Sequence, residues 1–274
     1  GTEYIIKLKP AIIEKEGRTV LIYPSQREEL VEDALRKIAV NGGGYLIEGK
    51  AGVMFSLYEL RGELASTGHT FSEAEIKEAI MVCRGATLEC QSLNGDSLIS
   101  SSFFPMIGLT SREKYVNVKG DTRCYVQFNP MVTESILGLT FRQYSYKKAM
   151  KLSSPLARYI YKRMSHYWSQ AAQDAPYTPS LVSFLEQSPR GLSVRMPENI
   201  RAMKNALDVL VNENVLSDYD AERIKDGRAT ADVRYTIRPT ADFVSQVKAA
   251  NHRAKQVKLM DMKQRVKAGK NADL

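Results

Sequence analysis

Two stretches of this chain run through the same order of structural signals, and that repetition narrows what it can fold into more than any other feature. In the first, an apolar-periodic segment at about 27–40 is followed by a short helical one from Ser56 to Ala65, ending near Gly68, and then by Ser72-Glu73-Ala74-Glu75. Ser and Glu three apart satisfy each other's orphan amides at a helix start, and Ile76, Ile80 and Cys83 continue on one apolar face. Strand-like runs follow at about 86–92, 98–109 and 114–128, the last ending at Asn129-Pro130 and passing into the helical MVTESIL. In the second stretch Thr178-Pro179 caps and starts a helix, SLVSFLEQ, by the N-cap and first-turn proline rules. Pro197 starts another, with Ile200, Met203, Leu207, Leu210 and Val211 on its apolar face. Two strands come next, around Val215–Ser217 with a polar continuation and at Val233–Arg238, parted by Asp226-Gly227-Arg228. The second ends at Arg238-Pro239 and again enters a helix, TADFVSQV.

Helix, turn, helix and β-ribbon is the winged-helix plan, so the expected class is α+β, with two tandem winged-helix domains duplicated in architecture rather than in sequence. Residues 3–9 (EYIIKLK) and 18–23 (RTVLIY) around Glu16-Gly17 predict an additional N-terminal β-hairpin. The expected domains are 1–136, carrying that hairpin, and 137–274, carrying a basic junction helix and a basic C-terminal helix. A length of 274 residues fits two domains of ordinary size. No apolar run approaches the ~20 residues of a membrane span. Three cysteines, Cys83, Cys90 and Cys124, make no disulfide framework, so a reducing, cytoplasmic compartment is expected. The opening Gly1-Thr2 lacks a methionine and runs directly into strand-like sequence, as expected of a piece of a longer chain.

Charge divides the two halves. Residues 1–136 hold 15 Lys and Arg against 18 Asp and Glu, a net of −3, and residues 137–274 hold 24 against 13, a net of +11. Between Ser135 and Gln173 there is no acidic residue, while basic side chains interleave with Tyr144, Tyr146, Tyr159, Tyr161, Tyr167 and Trp168. One-sided charge of this kind is the footprint of a polyanion binder, and a solvated basic face is the plainer alternative. Leu156, Ile160, Met164 and Trp168 recur at helical spacing and form a stripe to be buried, with Arg158, Lys162, Ser165 and Ser169 on another face.

Within this junction, Phe128-Asn129-Pro130, Phe141-Arg142-Gln143-Tyr144 and the run from Ser154-Pro155 to Lys162-Arg163 resemble the segment joining the two winged-helix domains of plasmid replication initiators of the Rep and TrfA type. The likeness covers about residues 30–245. It implies binding to repeated DNA sites at a replication origin, dimers and monomers with different tasks, chaperones that shift the balance between them, and a nucleoid-associated place in a bacterial cytoplasm. Two features depart from that family's pattern: the hairpin at 3–23 is extra, and the first recognition-like helix is acidic, with Glu73, Glu75 and Glu78.

Enzymatic readings find little to stand on. Gly44-Tyr45-Leu46-Ile47-Glu48-Gly49-Lys50 fits GxxxxGK, yet Ala51 stands where the magnesium-binding Ser or Thr belongs and the preceding segment reads as helix, so a hairpin turn is expected there. His69, His166 and His252 are scattered and the cysteines do not form CxxC, so neither a metal nor any other cofactor is expected. DNA binding, by contrast, uses the residues present. Asn199, Arg201 and Asn205 have the chemistry to read adenine and guanine edges from a helix in the major groove. Lys147, Lys148, Arg158, Lys162, Arg190, Arg195 and Lys204 are expected near phosphates, with Arg223, Lys225 and Arg228 in the ribbon. The apolar run LISSSFFPMIGL is expected to pair with a second copy through Phe103, Phe104 and Ile107, giving a homodimer in the absence of DNA; closure of the first domain's own core is the alternative. A protein–protein scaffold, a transcriptional repressor built from tandem winged helices and an RNA binder are the rival functions; helix-borne rather than strand-borne aromatics count against RNA.

Overall fold

A computed structural model describes residues 4–15, 17–109 and 124–272. The chain is mixed α and β and divides into two compact units, Gly1–Thr140 and Phe141–Leu274.

Unit 1 opens with β1 (Tyr4–Lys9), β2 (Ala11–Lys15) and β3 (Arg18–Ile22). Pro10 separates the first two, because a residue without an N–H cannot carry a ladder onward. The hairpin is therefore β2–β3, with Lys15 opposite Arg18 and Gly17 at φ 71°, while β1 pairs antiparallel with β6 (Thr87–Ser92), 80 residues downstream. This corrects the expectation that residues 3–9 form one arm of the hairpin. Next come α1 (Gln26–Ile38), β4 (Gly44–Ile47), β5 (Lys50–Phe55), α2 (Leu57–Ser66) and α3 (Glu73–Gly85). The last two start with reciprocal Ser–Glu caps, Ser56 with Glu59 and Ser72 with Glu75. Leu30, Leu35, Leu60, Leu64, Ile76 and Ile80 bury the facing sides of the three helices. The GxxxxGK segment is the β4–β5 hairpin: Glu48 and Gly49 both have positive φ (49° and 75°), as a tight two-residue turn between twisted strands requires.

The expected strand 98–109 is two strands in two sheets. β7 (Leu98–Ser102) completes the order β1-β6-β7, and β8 (Met106–Gly108) belongs to β4-β5-β9-β8, where β9 is Cys124–Gln127. The break lies at Phe103-Phe104-Pro105, where the Phe104 N–H leaves the ladder and donates to the Cys83 carbonyl at 3.2 Å. Of the expected strand 114–128 only its end is β9; residues 114–123 lie outside the described ones. Unit 1 closes with α4 (Pro130–Leu137), capped by Asn129.

Unit 2 contains α5 (Tyr146–Lys151), α6 (Pro155–Tyr167), α7 (Leu181–Glu186), α8 (Met196–Asn212), β10 (Leu216–Asp226), β11 (Ala229–Pro239) and α9 (Ala241–Ala272). The cap of α7 is Ser180 rather than Thr178-Pro179, because residues 177–180 are drawn out along β11: Tyr177 bridges Ile237 and the Pro179 carbonyl accepts from Tyr235. One core joins Ile160 and Met164 of α6 and Trp168 at its C-cap to Phe184, Met203, Leu207 and Leu210, to Val233, Tyr235 and Ile237 of β11, and to Phe243 and Val247 of α9. Trp168 stacks on Tyr177 at 5.6 Å between centroids. Burial along β11 alternates from Val233 onward, whereas β10 is exposed beyond Tyr219, so the far end of the hairpin stands clear of the core.

Candidate nucleic-acid interface

The turn from α7 to α8 sets how α8 is presented. Gly191 takes φ 70°, a conformation that favours glycine, and its N–H bonds the Ser188 carbonyl at 3.0 Å. From the first turn of α8, Asn199 reaches back into this loop: its Oδ1 accepts the Ser193 N–H at 2.9 Å and Arg190 Nη1 at 3.0 Å, and its Nδ2 donates to the Ser193 carbonyl at 2.7 Å. Ser193 Oγ in turn donates to Glu198 at 2.8 Å and accepts the Arg195 N–H at 3.2 Å. Asn199 is 1% exposed, on the side of α8 that carries Met203, Ala206 and Leu210. It therefore cannot reach a base edge, which corrects its expected role; it fastens the turn. A polar residue one helical turn ahead of a buried stripe looks exposed in sequence, and only the folded-back loop makes it interior.

Arg201 and Asn205 do face outward, one turn apart. Neither holds a hydrogen bond or ion pair among the described residues. Lys204 lies beside them, but its Nζ is 2.6 Å from Asp208 Oδ2, and Asp208 also accepts the Tyr219 hydroxyl at 2.6 Å. The Lys204 bond and then the Tyr219 bond hold the Asp208 carboxyl below its usual range. Burial first, and the Asp208 carboxylate second, push the Tyr219 hydroxyl up. Arg190 and Arg195 flank the start of α8 and are exposed.

The β10–β11 hairpin turns at Gly227, φ 59°, with Arg223, Lys225 and Arg228 exposed around its tip. Its base is charge-balanced, since Arg238 pairs with both Asp218 and Asp220, the latter at 2.7 Å. Asp232 is also occupied. Burial raises its carboxyl, but bonds from the Ser180 hydroxyl and from the Val182, Val233 and Leu181 amides outweigh that and hold it low. The exposed Arg234, opposite Glu222, was missed from the sequence, although strict alternation against the buried Val233 and Tyr235 places it outward.

The acid-free segment is less uniformly basic at the surface than its sequence. Arg158 is fully buried, its Nη1 donating to the Leu152 carbonyl, so the expectation that it meets phosphate is corrected. Lys148 bonds the Glu213 carbonyl at 3.1 Å and lies 3.3 Å from Asp242, bracing α5 against the rest of unit 2. Lys162 sits 5.8 Å from the Tyr144 ring centroid, and Arg163 covers Phe184 at 5.0 Å. Lys147 is exposed, as is Lys151.

In unit 1 the expected dimer residues turn inward. Phe104 is 0% exposed and packs edge-on against Phe128 at 6.3 Å, which removes it from any interface. Phe103 packs on Ala11, Val82 and Ala86, and Ile107 is half-buried opposite Val126. An exposed apolar surface lies instead on one face of β1-β6-β7, where register puts Tyr4, Ile6 and Leu8 beside Leu88, Cys90 and Ile99. Ile6 is 68% and Tyr4 54% exposed. The acids of α3 have structural tasks: Glu73 pairs with Lys77, Glu75 caps, and Glu78 holds Lys15 and Arg27, both at 3.0 Å. Those two bonds, Lys15 first, keep the Glu78 carboxyl low. Among the described residues no group of three or more His, Cys, Asp or Glu converges as a metal site would need, and no helix is long and apolar enough to cross a membrane.

Neither a protein-family model nor a curated protein sequence matches the chain. Solved structures do. The crystal structure of domains 2 and 3 of RctB superposes with a TM-score of 0.51 at 11% identity, covering 87% of this chain and 92% of that one. The Pi initiator protein, solved in complex with iteron DNA, superposes with a TM-score of 0.50 at 11% identity, covering 86% and 98%. At such identities the likeness is one of fold. It falls on initiator proteins, the class whose junction motifs this sequence resembles, and the sequence as a whole looks like that of RctB.

Proposed function

We propose that this chain is a sequence-specific double-stranded DNA-binding protein acting at repeated sites of a replication origin, as an initiator or the central part of one, without enzymatic activity or cofactor. The observation that carries this reading is the outward pair Arg201 and Asn205 on a helix whose start is fastened by the Asn199 clamp, in the same unit as a hairpin tip bearing Arg223, Lys225 and Arg228. In this reading each unit is a winged-helix domain, the first with its N-terminal hairpin and the second with its basic helices. α8 lies in a major groove, where Arg bonds guanine O6/N7 and Asn bonds adenine N6/N7. Arg190, Arg195, Lys204 and Lys147 contact phosphates and set register. The fold shared with an initiator solved on iteron DNA supports this. Work at an origin places the protein in the cytoplasm, on the nucleoid.

A homodimer in the absence of DNA is part of the proposal, with its surface moved to the exposed Tyr4, Ile6 and Ile99 face of unit 1. Selecting bound sequences from a random duplex pool tests the whole reading. A recovered repeat motif is expected, with Arg201→Ala and Asn205→Ala each losing roughly 1–3 kcal/mol on that motif and little on random duplex. Equal losses on both would remove base reading from α8.

A further inference from the structure

Helix α9 runs for 32 residues, Ala241–Ala272, and only its beginning belongs to the core: Phe243, Val244, Val247 and Ala250 are buried. Asn251 and Arg253 tie the helix to the body of unit 2, to the Ser169 carbonyl at 2.8 Å and to the Gln143 side chain. From Lys255 to Met260 every side chain is exposed. On the side away from the Phe243–Val247–Ala250 seam, Lys248, His252 and Lys255 recur at spacings of four and three, and Lys258 follows three residues on, nearer the line of the seam but beyond its last buried residue; all four are exposed. Lys248, Lys255 and Lys258 form no ion pair among the described residues, and between Phe243 and Ala272 the sequence has a single acidic residue, Asp261. Most helical stability in proteins comes from packing, and like charges three or four apart repel. A helix that leaves its core and carries basic side chains without ion pairs is suited to an external polyanion.

We propose that the projecting part of α9 is a second phosphate-binding element, gripping the DNA backbone without regard to sequence through Lys248, Lys255 and Lys258. Seven residues at ~1.5 Å per residue place Lys248 and Lys255 roughly 10 Å apart along the axis, a reach comparable with the ~12 Å width of the major groove. DNA is favoured over an anionic membrane because the apolar seam of α9 is spent on the core of unit 2, and the exposed Val257, Leu259 and Met260 of the projecting part are spread around the helix rather than gathered on one face to insert beneath headgroups. The inference rests on the DNA-binding reading above and adds to it a surface that does not read bases.

The test uses the full chain and a random-sequence duplex of about 30 base pairs. Each phosphate contact contributes about 0.9 to the slope of log K against log salt, so the triple variant Lys248→Gln, Lys255→Gln, Lys258→Gln is expected to flatten that slope by about two to three units. It should also weaken the selected site and random duplex by the same factor. The charge-matched control Lys7→Gln, Lys50→Gln, Arg84→Gln, exposed on unit 1, should leave the slope within one unit. Thermal unfolding of the triple variant should match the parent, because no ion pair is lost. An unchanged slope, or an equal change in the control, overturns the proposal while Arg201→Ala still reports on base reading. Stronger binding to phosphatidylglycerol vesicles than to duplex overturns it in favour of a membrane, and a parent chain that binds no duplex overturns both readings together.

Discussion

Replacing Asn199 separates a residue that shapes the interface from one that touches DNA. In Asn199→Ala the Ser193 N–H and carbonyl lose partners at 2.9 and 2.7 Å, and the Arg190 guanidinium loses one at 3.0 Å. A hydrogen bond is worth about 1 kcal/mol net, and a backbone group left unsatisfied inside the turn costs about 1–3 kcal/mol. Both Ser193 groups are part-buried and Arg190 is exposed, so the lower half of that range applies to the first two and little to the third, giving about 2–4 kcal/mol for unit 2. Trp168 is the sole tryptophan and sits in the core of that unit, so its fluorescence follows unit 2 alone during urea unfolding. With a slope of about 2 kcal/mol/M, the midpoint should fall by about 1–2 M. Asn205→Ala, six residues further along the same helix but exposed, should leave the midpoint within about 0.3 M and lose discrimination between selected and random duplex. If Asn199→Ala instead kept its midpoint and lost discrimination as Asn205→Ala does, the clamp would be refuted and Asn199 restored as a base reader.

Other consequences follow from the same geometry. Arg158→Ala should destabilise unit 2 by about 2–5 kcal/mol by the Trp168 transition while leaving the salt slope of duplex binding unchanged; a flattened slope at full stability would put Arg158 on phosphate after all. Phe104→Ala, at a site with no exposure, should cost unit 1 about 3–5 kcal/mol, read by protection of its amides from hydrogen exchange. Ile6→Ser with Ile99→Ser should leave stability nearly unchanged and lower self-association in sedimentation at tens of micromolar, and an unaltered dimer would move the interface elsewhere. Asp208 and Asp232 are held below the usual carboxylate range, so the stability they contribute is present above about pH 4 and lost as pH falls through their folded values. Asp232→Asn should flatten the acid limb of unit 2 unfolding, whereas an unchanged limb would mean the α7 start does not depend on that charge.

What the sequence made legible is what neighbours in the chain decide. The Ser72–Glu75 cap, the Gly227 turn and the buried stripe through Ile160, Met164 and Trp168 each follow from residues within a few positions of one another, and the structure carries all three. The partner of β1 could not be read this way: Tyr4–Lys9 pairs with a strand 80 residues on, and nothing local distinguishes that from the nearer Arg18–Ile22. Pro10 and Pro105 were the available local signals, each marking where a ladder had to break. At the interface the same limit acts on side-chain direction. Asn199 and Asn205 have the same chemistry on the same helix, but the loop closed by Gly191 folds over the first and leaves the second free. Arg158 and Lys147 share one acid-free run, but Arg158 lies on the side of α6 that meets the core while Lys147 does not. Charge clustering thus points to a kind of partner, since net charge acts at long range whatever the side-chain directions. Which members touch that partner depends on contacts made by distant parts of the chain, so substitutions at Asn199 and Asn205 give opposite readouts although one sequence pattern proposed both.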